Sequence, residues 1–327
     1  MNALLAPLVG NAETVTVIGL CKNAGKTTAL CRLLREWDGE AVAVTSVGRD
    51  GERTDVVTGT EKPEIRVGKG TLFATARGLL PLCDVTAEVL DVTDVHTPLG
   101  QVAVLRALSD GYVQIAGPSA VGQLGALEET FRHFGARRVL IDGAAGRKSL
   151  AAAGENTCAI LCVGASMQGG LKQIVAETAH VCALFGADTV DLQHEGARFA
   201  LFDVRGERLP LELGEDGAPV WSALPRQEVI LWVQGGVTDP MVRALAQRGI
   251  PVTVAAPDAT HFLLGRAAAE LFERGGGKLA VERRLNLAAI CANPWSAYGD
   301  HLDRNELMAA LRKVVNIPVV DAKEGWM

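Results

Sequence analysis

The chemistry in this sequence is concentrated in Gly19-Leu-Cys-Lys22-Asn23-Ala24-Gly25-Lys26-Thr27-Thr28. Glycines, a lysine and adjacent hydroxyls at this spacing suit a phosphate cradle. Backbone N–H groups of residues 22–27 can wrap an anion, and a helix starting there adds the positive end of its dipole. Lys22, Asn23, Ala24, Gly25, Lys26, Thr27 and Thr28 are therefore the candidate nucleotide-binding residues. Lys26 would reach the β- and γ-phosphates, and the Thr27 hydroxyl would ligate Mg2+. One departure from GxxxxGK[ST] stands out. The position five before Gly25 is Leu20, and the glycine is one earlier, at Gly19. Lys22 adds charge inside the loop, toward the phosphates of this or a neighbouring subunit; a solvated loop lysine is the alternative.

A phosphate loop of this kind needs a second ligand for the metal or for its water. Arg138-Val-Leu-Ile-Asp142 reads as a strand ending in a carboxylate, the place where ligands meet open α/β sheets. Asp142 is the candidate, with a helix-capping aspartate as the alternative. The second strand runs into Ser46-Val-Gly48-Arg49-Asp50-Gly51-Glu52-Arg53-Thr54-Asp55. That segment has the place of a switch loop, with Asp50 and Asp55 positioned for Mg2+ or water; a solvated turn is the alternative. The predicted catalytic set is Lys26, Asp50, Asp55 and Asp142, and the predicted metal set is Thr27, Asp142 and Asp50. Asn293, in Cys291-Ala-Asn-Pro-Trp295, is a candidate base contact or a plain Asn-Pro turn.

These residues need a strand–loop–helix frame to hold them. Thr14–Gly19 is β-branched and apolar, residues 25–37 follow with helical character, and 41–45 is a second apolar run. That is a βαβ opening. Further strands are expected near 63–67, 85–91, 111–115, 138–142 and 158–163, with helices at 71–81, 122–134 and 169–185. Residues 198–212 read as a hairpin turning at Arg205-Gly206-Glu207. The βα rhythm then resumes with strands at 229–233, 251–255, 287–291 and 318–321, and helices at 239–248, 263–274 and 304–314. The expected fold is an α/β P-loop NTPase with a mostly parallel sheet flanked by helices, a β-hairpin insertion and C-terminal βα units. Its expected organisation is 1–195 as the nucleotide-binding domain, 196–228 as hairpin and linker, and 229–327 as an α/β region that could continue the first sheet.

Composition narrows the function classes. The 327 residues carry 32 Lys plus Arg against 38 Asp plus Glu, a net charge of −6. No basic excess is available to release counterions from a nucleic acid. With 48% hydrophobic residues the chain fills a core rather than staying disordered. No apolar run approaches the ~18–20 residues that span a bilayer, and residues 1–11 carry no Lys or Arg, so they read as a lead-in to the first strand. The 7 cysteines include no CxxC pair and the 6 histidines no HxH or HxxxH pair. Free thiols in a reducing cytoplasm are expected, without a protein-only metal cage.

Lys22-Asn-Ala-Gly-Lys-Thr-Thr28 resembles the KNSGKTT-type loop of molybdopterin-guanine dinucleotide biosynthesis adaptors. The course of residues 1–60 and 287–321 is similar to dimeric P-loop ATPases of the dethiobiotin synthetase class. A longer likeness, over most of the chain, is to the reactivase-type (KamB-like) ATPase subunit found beside adenosylcobalamin-dependent lysine 5,6- and ornithine 4,5-aminomutases. Its carriers are Thr45-Ser-Val-Gly-Arg-Asp-Gly-Glu52, Asp55-Val-Val, Glu61-Lys-Pro63, Lys69-Gly-Thr71, Ala74-Thr-Ala76 and Glu177-Thr-Ala-His180. This resemblance implies an ATP- or GTP-binding, Mg2+-dependent ATPase that exchanges damaged cobalamin from a B12-dependent aminomutase, alongside a second reactivase subunit. The loop class implies a homodimer. The alternatives are an ATP-dependent small-molecule ligase or kinase, and a nucleotide-binding adaptor for cofactor biosynthesis. No cobalamin-binding DxHxxG signature is present, so the chain would act on a holoenzyme rather than carry the cofactor.

Overall fold

The computed structural model describes residues 4–47, 65–118, 121–143, 156–299, 301–321 and 323. A short helix α1 (Ala6–Val9) leads into β1 (Thr14–Gly19), α2 (Lys26–Glu36) and β2 (Val42–Ser46). Then come β3 (Ile65–Val67), β4 (Leu72–Ala76), a 3-10 turn (Arg77–Leu82), β5 (Ala87–Thr97), β6 (Gly100–Ala107) and β7 (Gly111–Val113). Helix α3 (Val121–His133), β8 (Arg138–Asp142), β9 (Thr157–Gly164) and α4 (Gly170–Phe185) follow. The next stretch holds β10 (Asp188–Thr189), β11 (Phe199–Phe202), β12 (Arg208–Leu209), β13 (Val229–Val233), β14 (Val237–Thr238) and α5 (Asp239–Ala246). It continues through β15 (Val252–Asp258), β16 (Phe262–Leu263), α6 (Arg266–Arg274) and β17 (Lys278–Arg283). The chain closes with β18 (Leu287–Asn293), α7 (Arg304–Arg312) and β19 (Val319–Asp321).

Two compact units result. Residues 1–179 and 286–327 form one, and His180–Leu285 forms the other. The first is an α/β unit around a large mixed sheet, ordered β19-β18-β9-β1-β8-β2-β4-β6-β5. The pairings from β19 through β4 are parallel; β6 is antiparallel to both β4 and β5. The parallel strands read as unbroken apolar runs because both faces are covered. Val15, Val17, Val44, Leu140 and Ile160 share a buried cluster with Leu30 and Leu33 of α2. The alternate residues Ala43, Val139 and Ile141 pack with Leu124, Leu127 and Phe131 of α3.

The structure corrects several expectations. Residues 71–81 are not a helix but β4 and a 3-10 turn. Their Ala/Leu-rich sequence favours helix locally, yet pairing with β2 and β6 overrides it. Strands β6 and β17 have no counterpart among the elements the sequence predicts. The hairpin over 198–212 is present as β11–β12, but it is no linker. β11 pairs with β13 inside a six-stranded sheet ordered β10-β17-β15-β13-β11-β12. The region 229–327 is divided: β13, β15 and β17 belong to that second sheet, while β18 and β19 return to the first. Among the described residues, no helix is long and apolar enough to cross a membrane.

Buried charges tie α2 to its neighbours. Arg32 is 1% exposed. Its Nε donates to Glu36 Oε1 at 2.8 Å and its Nη1 to the Asp321 carbonyl of β19 at 2.7 Å. Glu36 Oε2 accepts the Ala6 N–H at 2.6 Å, which pins α1. Removing one member strands a charge in the core. Arg32→Ala is expected to cost about 3–5 kcal/mol, read as a lower urea midpoint.

Glu128 on α3 is a second buried acid. Burial pushes its carboxyl above the usual range, against the opposing effects of the Thr14 hydroxyl and Arg132. Such a group penalises the folded state only once the pH rises past the ordinary carboxylate range, and fully above its raised pKa. Glu128→Gln is therefore expected to be more stable than wild type at pH 7, with the gap closing toward pH 4 in parallel urea titrations.

Candidate functional site

Parallel pairing puts the carboxyl ends of β18, β9, β1 and β8 side by side. Gly19 of β1 is level with Cys162 of β9, Asn293 of β18 with Gly164 of β9, and Val17 of β1 with Asp142 of β8. The loop over residues 20–25 leaves β1 at this edge and enters α2 at Lys26.

Gly25 is the N-cap of α2, with φ 98° and ψ 18°. A Cβ there would be strained, and it would lie 3.2 Å from Asn293 Cβ. Asn23 also has positive φ, at 60°. This pair of left-handed residues turns the chain sharply enough to start a helix directly after the strand. By helix geometry the N–H groups of the first turn have no intrahelical acceptor, and the N-cap residue, a glycine, has no side chain to cap them.

Gly19 has its own reason to be glycine. A Cβ on it would sit 3.2 Å from both Cγ and Cδ of Lys26. The lysine stem folds back across the end of β1, so the displaced glycine serves the lysine. Burial holds the Cys21 thiol above its usual range, and the nearby Lys26 charge opposes that rise there and at Cys162. Cys162 and Cys291 oppose each other on β9 and β18, both fully buried. Their mutual hydrogen bond and burial push the Cys162 thiol well up. Among the seven cysteines no disulfide forms, and burial takes the Cys158 and Cys182 thiols up to about 12.

Asp142 is half-buried at the end of β8. The next residue, Gly143, donates its N–H to the Val17 carbonyl at 2.9 Å, and Val47 donates to the Asp142 carbonyl at 3.0 Å. Both neighbours of β8 are thereby laced to the Asp142 backbone. Asn293 packs on the loop rather than standing clear of it. Its Nδ2 donates to the Asn23 carbonyl at 3.4 Å and its Oδ1 accepts the Trp295 N–H at 3.2 Å. The amide expected to contact a base is engaged with loop backbone, a role its position after Cys291-Ala could not reveal.

Lys22 is exposed, Ala24 is buried, and Gly25 through Thr28 are half-buried. Asp50 and Asp55 lie outside the described residues. Among the described residues no group of three or more His, Cys, Asp or Glu side chains is placed to hold a metal. A Mg2+ bound mainly by phosphates, water and one carboxylate needs no such group. Two observations fit an anion at the loop. Asn23 Nδ2 is buried with no hydrogen-bond partner among the described residues. The N-terminus of α2, whose N-cap glycine offers no capping side chain, adjoins it.

No family model, curated protein or solved structure matches this chain.

The loop makes glycine substitutions diverge in sign. Gly25→Ala is expected to destabilise by about 1–2 kcal/mol from the left-handed backbone alone. Gly125→Ala, in the middle of α3 with open space at the Cβ position, is expected to stabilise by about 0.5–1 kcal/mol. Urea midpoints of the two variants check both.

Proposed function

We propose that this chain is a Mg2+-dependent P-loop NTPase that binds ATP at residues 22–28. The observation that carries the reading is the left-handed Gly25 at the head of α2, with Lys26 and Thr27 following it and Asp142 ending the adjacent strand. Thr27 and Asp142 would hold the Mg2+, which would supply charge neutralisation at the phosphates. The chain's own contribution is largely positional. The N–H groups of the first turn of α2 would donate to phosphate oxygens. Asn23 Nδ2 would gain an acceptor it lacks. Lys26 would lift its ammonium from the Gly19 end of β1 toward the phosphates. Asn293 would brace the loop through Gly25 and Asn23.

The resemblance to aminomutase reactivase subunits supports a role in which nucleotide state favours one conformation of a client and hydrolysis releases it. The client would be a B12-dependent aminomutase. Homodimer formation and a second reactivase subunit belong to the same reading.

ATP and GTP hydrolysis should be measured for the wild type, Lys26→Ala and Asp142→Ala, alone and with an inactivated aminomutase. Each variant is expected to lose about 10²-fold or more in turnover, the scale of removing one electrostatic group from a reacting centre. Absence of nucleotide binding by the wild type would sink the loop reading. Binding and turnover without recovery of mutase activity would remove the client and keep the NTPase.

A further inference from the structure

The second unit holds a charge cluster that the nucleotide reading does not use. Strands β13, β15 and β17 are parallel neighbours, so the loops after them leave at one end of the six-stranded sheet. Asp258 ends β15 and Arg283 ends β17, and the two are register partners, so their side chains lie on the same face. Asp258 is 3% exposed. Its Oδ1 accepts the Thr260 N–H at 3.0 Å, the Thr260 hydroxyl and the His261 Nδ1–H at 3.3 Å. Its Oδ2 faces Arg283 Nη2 at 3.7 Å.

One buried carboxylate is thus flanked by an imidazole and a guanidinium. Burial alone would push Asp258 up, but the bonds from His261 and Thr260 outweigh it and hold the carboxyl below its usual range. The bond to Asp258 in turn raises His261, against burial and the nearby Arg283 charge. With His261 protonated, two cations face one anion. Their remaining donors are unspent: among the described residues, neither His261 Nε2 nor the rest of the Arg283 guanidinium has another hydrogen bond or ion pair. Both side chains reach solvent, at 29% and 62% exposure. The buried carboxylate fixes their orientation, so an incoming ligand meets donors already held in place.

We propose that Arg283 and His261, oriented by Asp258, form a binding site for an oxyanion group of a small ligand, at the carboxyl ends of β15 and β17. Strand ends are where open α/β sheets take ligands. A guanidinium beside an imidazolium suits the two acceptor oxygens of a phosphate or carboxylate. The site lies in a different unit from the residue 22–28 loop and does not depend on what that loop binds.

The test is the His261 imidazole signal in 15N-histidine-labelled full-length protein, assigned by its loss in His261→Gln. Inorganic phosphate and acetate are titrated separately against chloride at constant ionic strength. A Lys26→Ala background weakens anion binding at the loop, and the His261 response is expected to be unchanged in it. Saturable movement of the His261 resonance is expected, with Arg283→Gln weakening the apparent affinity about tenfold or more and Arg283→Lys retaining part of it. Tighter saturation by phosphate assigns the ligand a phosphate group, and tighter saturation by acetate a carboxylate. No saturable shift with either anion would overturn the site, as would an affinity unchanged in Arg283→Gln, a variant of an exposed side chain expected to fold.

Discussion

The parallel pairing of β1 with β8 on one side and β9 on the other is the constraint on which the candidate site depends. A strand's side chains alternate with period two, so a slip of one residue would turn every core residue outward. Val15 and Val17 are locked toward α2, and Val139 and Ile141 toward α3. That register leaves no freedom in where the strands end. Gly19, Asp142, Gly164 and Asn293 arrive at one edge because the core decides it, and the loop chemistry is built on a position set by hydrophobic burial.

The buried Arg32 shows how the helix behind the loop is held at its other end. Burying a guanidinium is expensive unless its donors are satisfied and its charge matched. Here Glu36 supplies the charge and Asp321 the carbonyl. Arg304 then pairs with the Asp321 carboxylate. The network joins α1, α2, α7 and β19, elements far apart in sequence. An apolar residue at 32 could pack but could not specify that β19 ends beside α2. Rigid placement of α2 matters to the proposal because the N–H groups of its first turn would be the donors of the phosphate cradle.

Central strands of both sheets are legible in the sequence. Thr14–Gly19, Arg138–Asp142 and Val229–Val233 announce themselves as β-branched runs with turn residues on either side, and each is a strand with those bounds. What failed was where local preference and tertiary pairing disagree. Residues 72–76, Leu-Phe-Ala-Thr-Ala, carry helix formers but are fixed between β2 and β6. Lys278–Arg283 mixes charged ends with a short apolar centre, and only its pairing with β15 and β10 makes it a strand. At the candidate site, spacing singles out Gly25, Lys26 and Thr27. The role of Gly19 is not legible in it, because it depends on where a lysine stem folds. Nor is that of Asn293, because its partners Asn23 and Gly25 stand some 270 residues away in the chain.

The division of the chain raises a topological difficulty that the second unit resolves. Strand β18 belongs beside β9, yet on the order of a hundred residues separate the end of the first segment from its return. Closing a flexible loop of that length would cost about 4 kcal/mol in chain entropy before β18 made a contact. The second unit closes that loop by itself. β10, just after α4, pairs with β17, just before β18. Arg284 reaches back to the Ala187 carbonyl at 3.4 Å. Entry and exit are therefore neighbours once this unit has formed. The return of β18 to the first sheet then resembles a short connection, and the insertion burdens the nine-stranded sheet far less than its length implies.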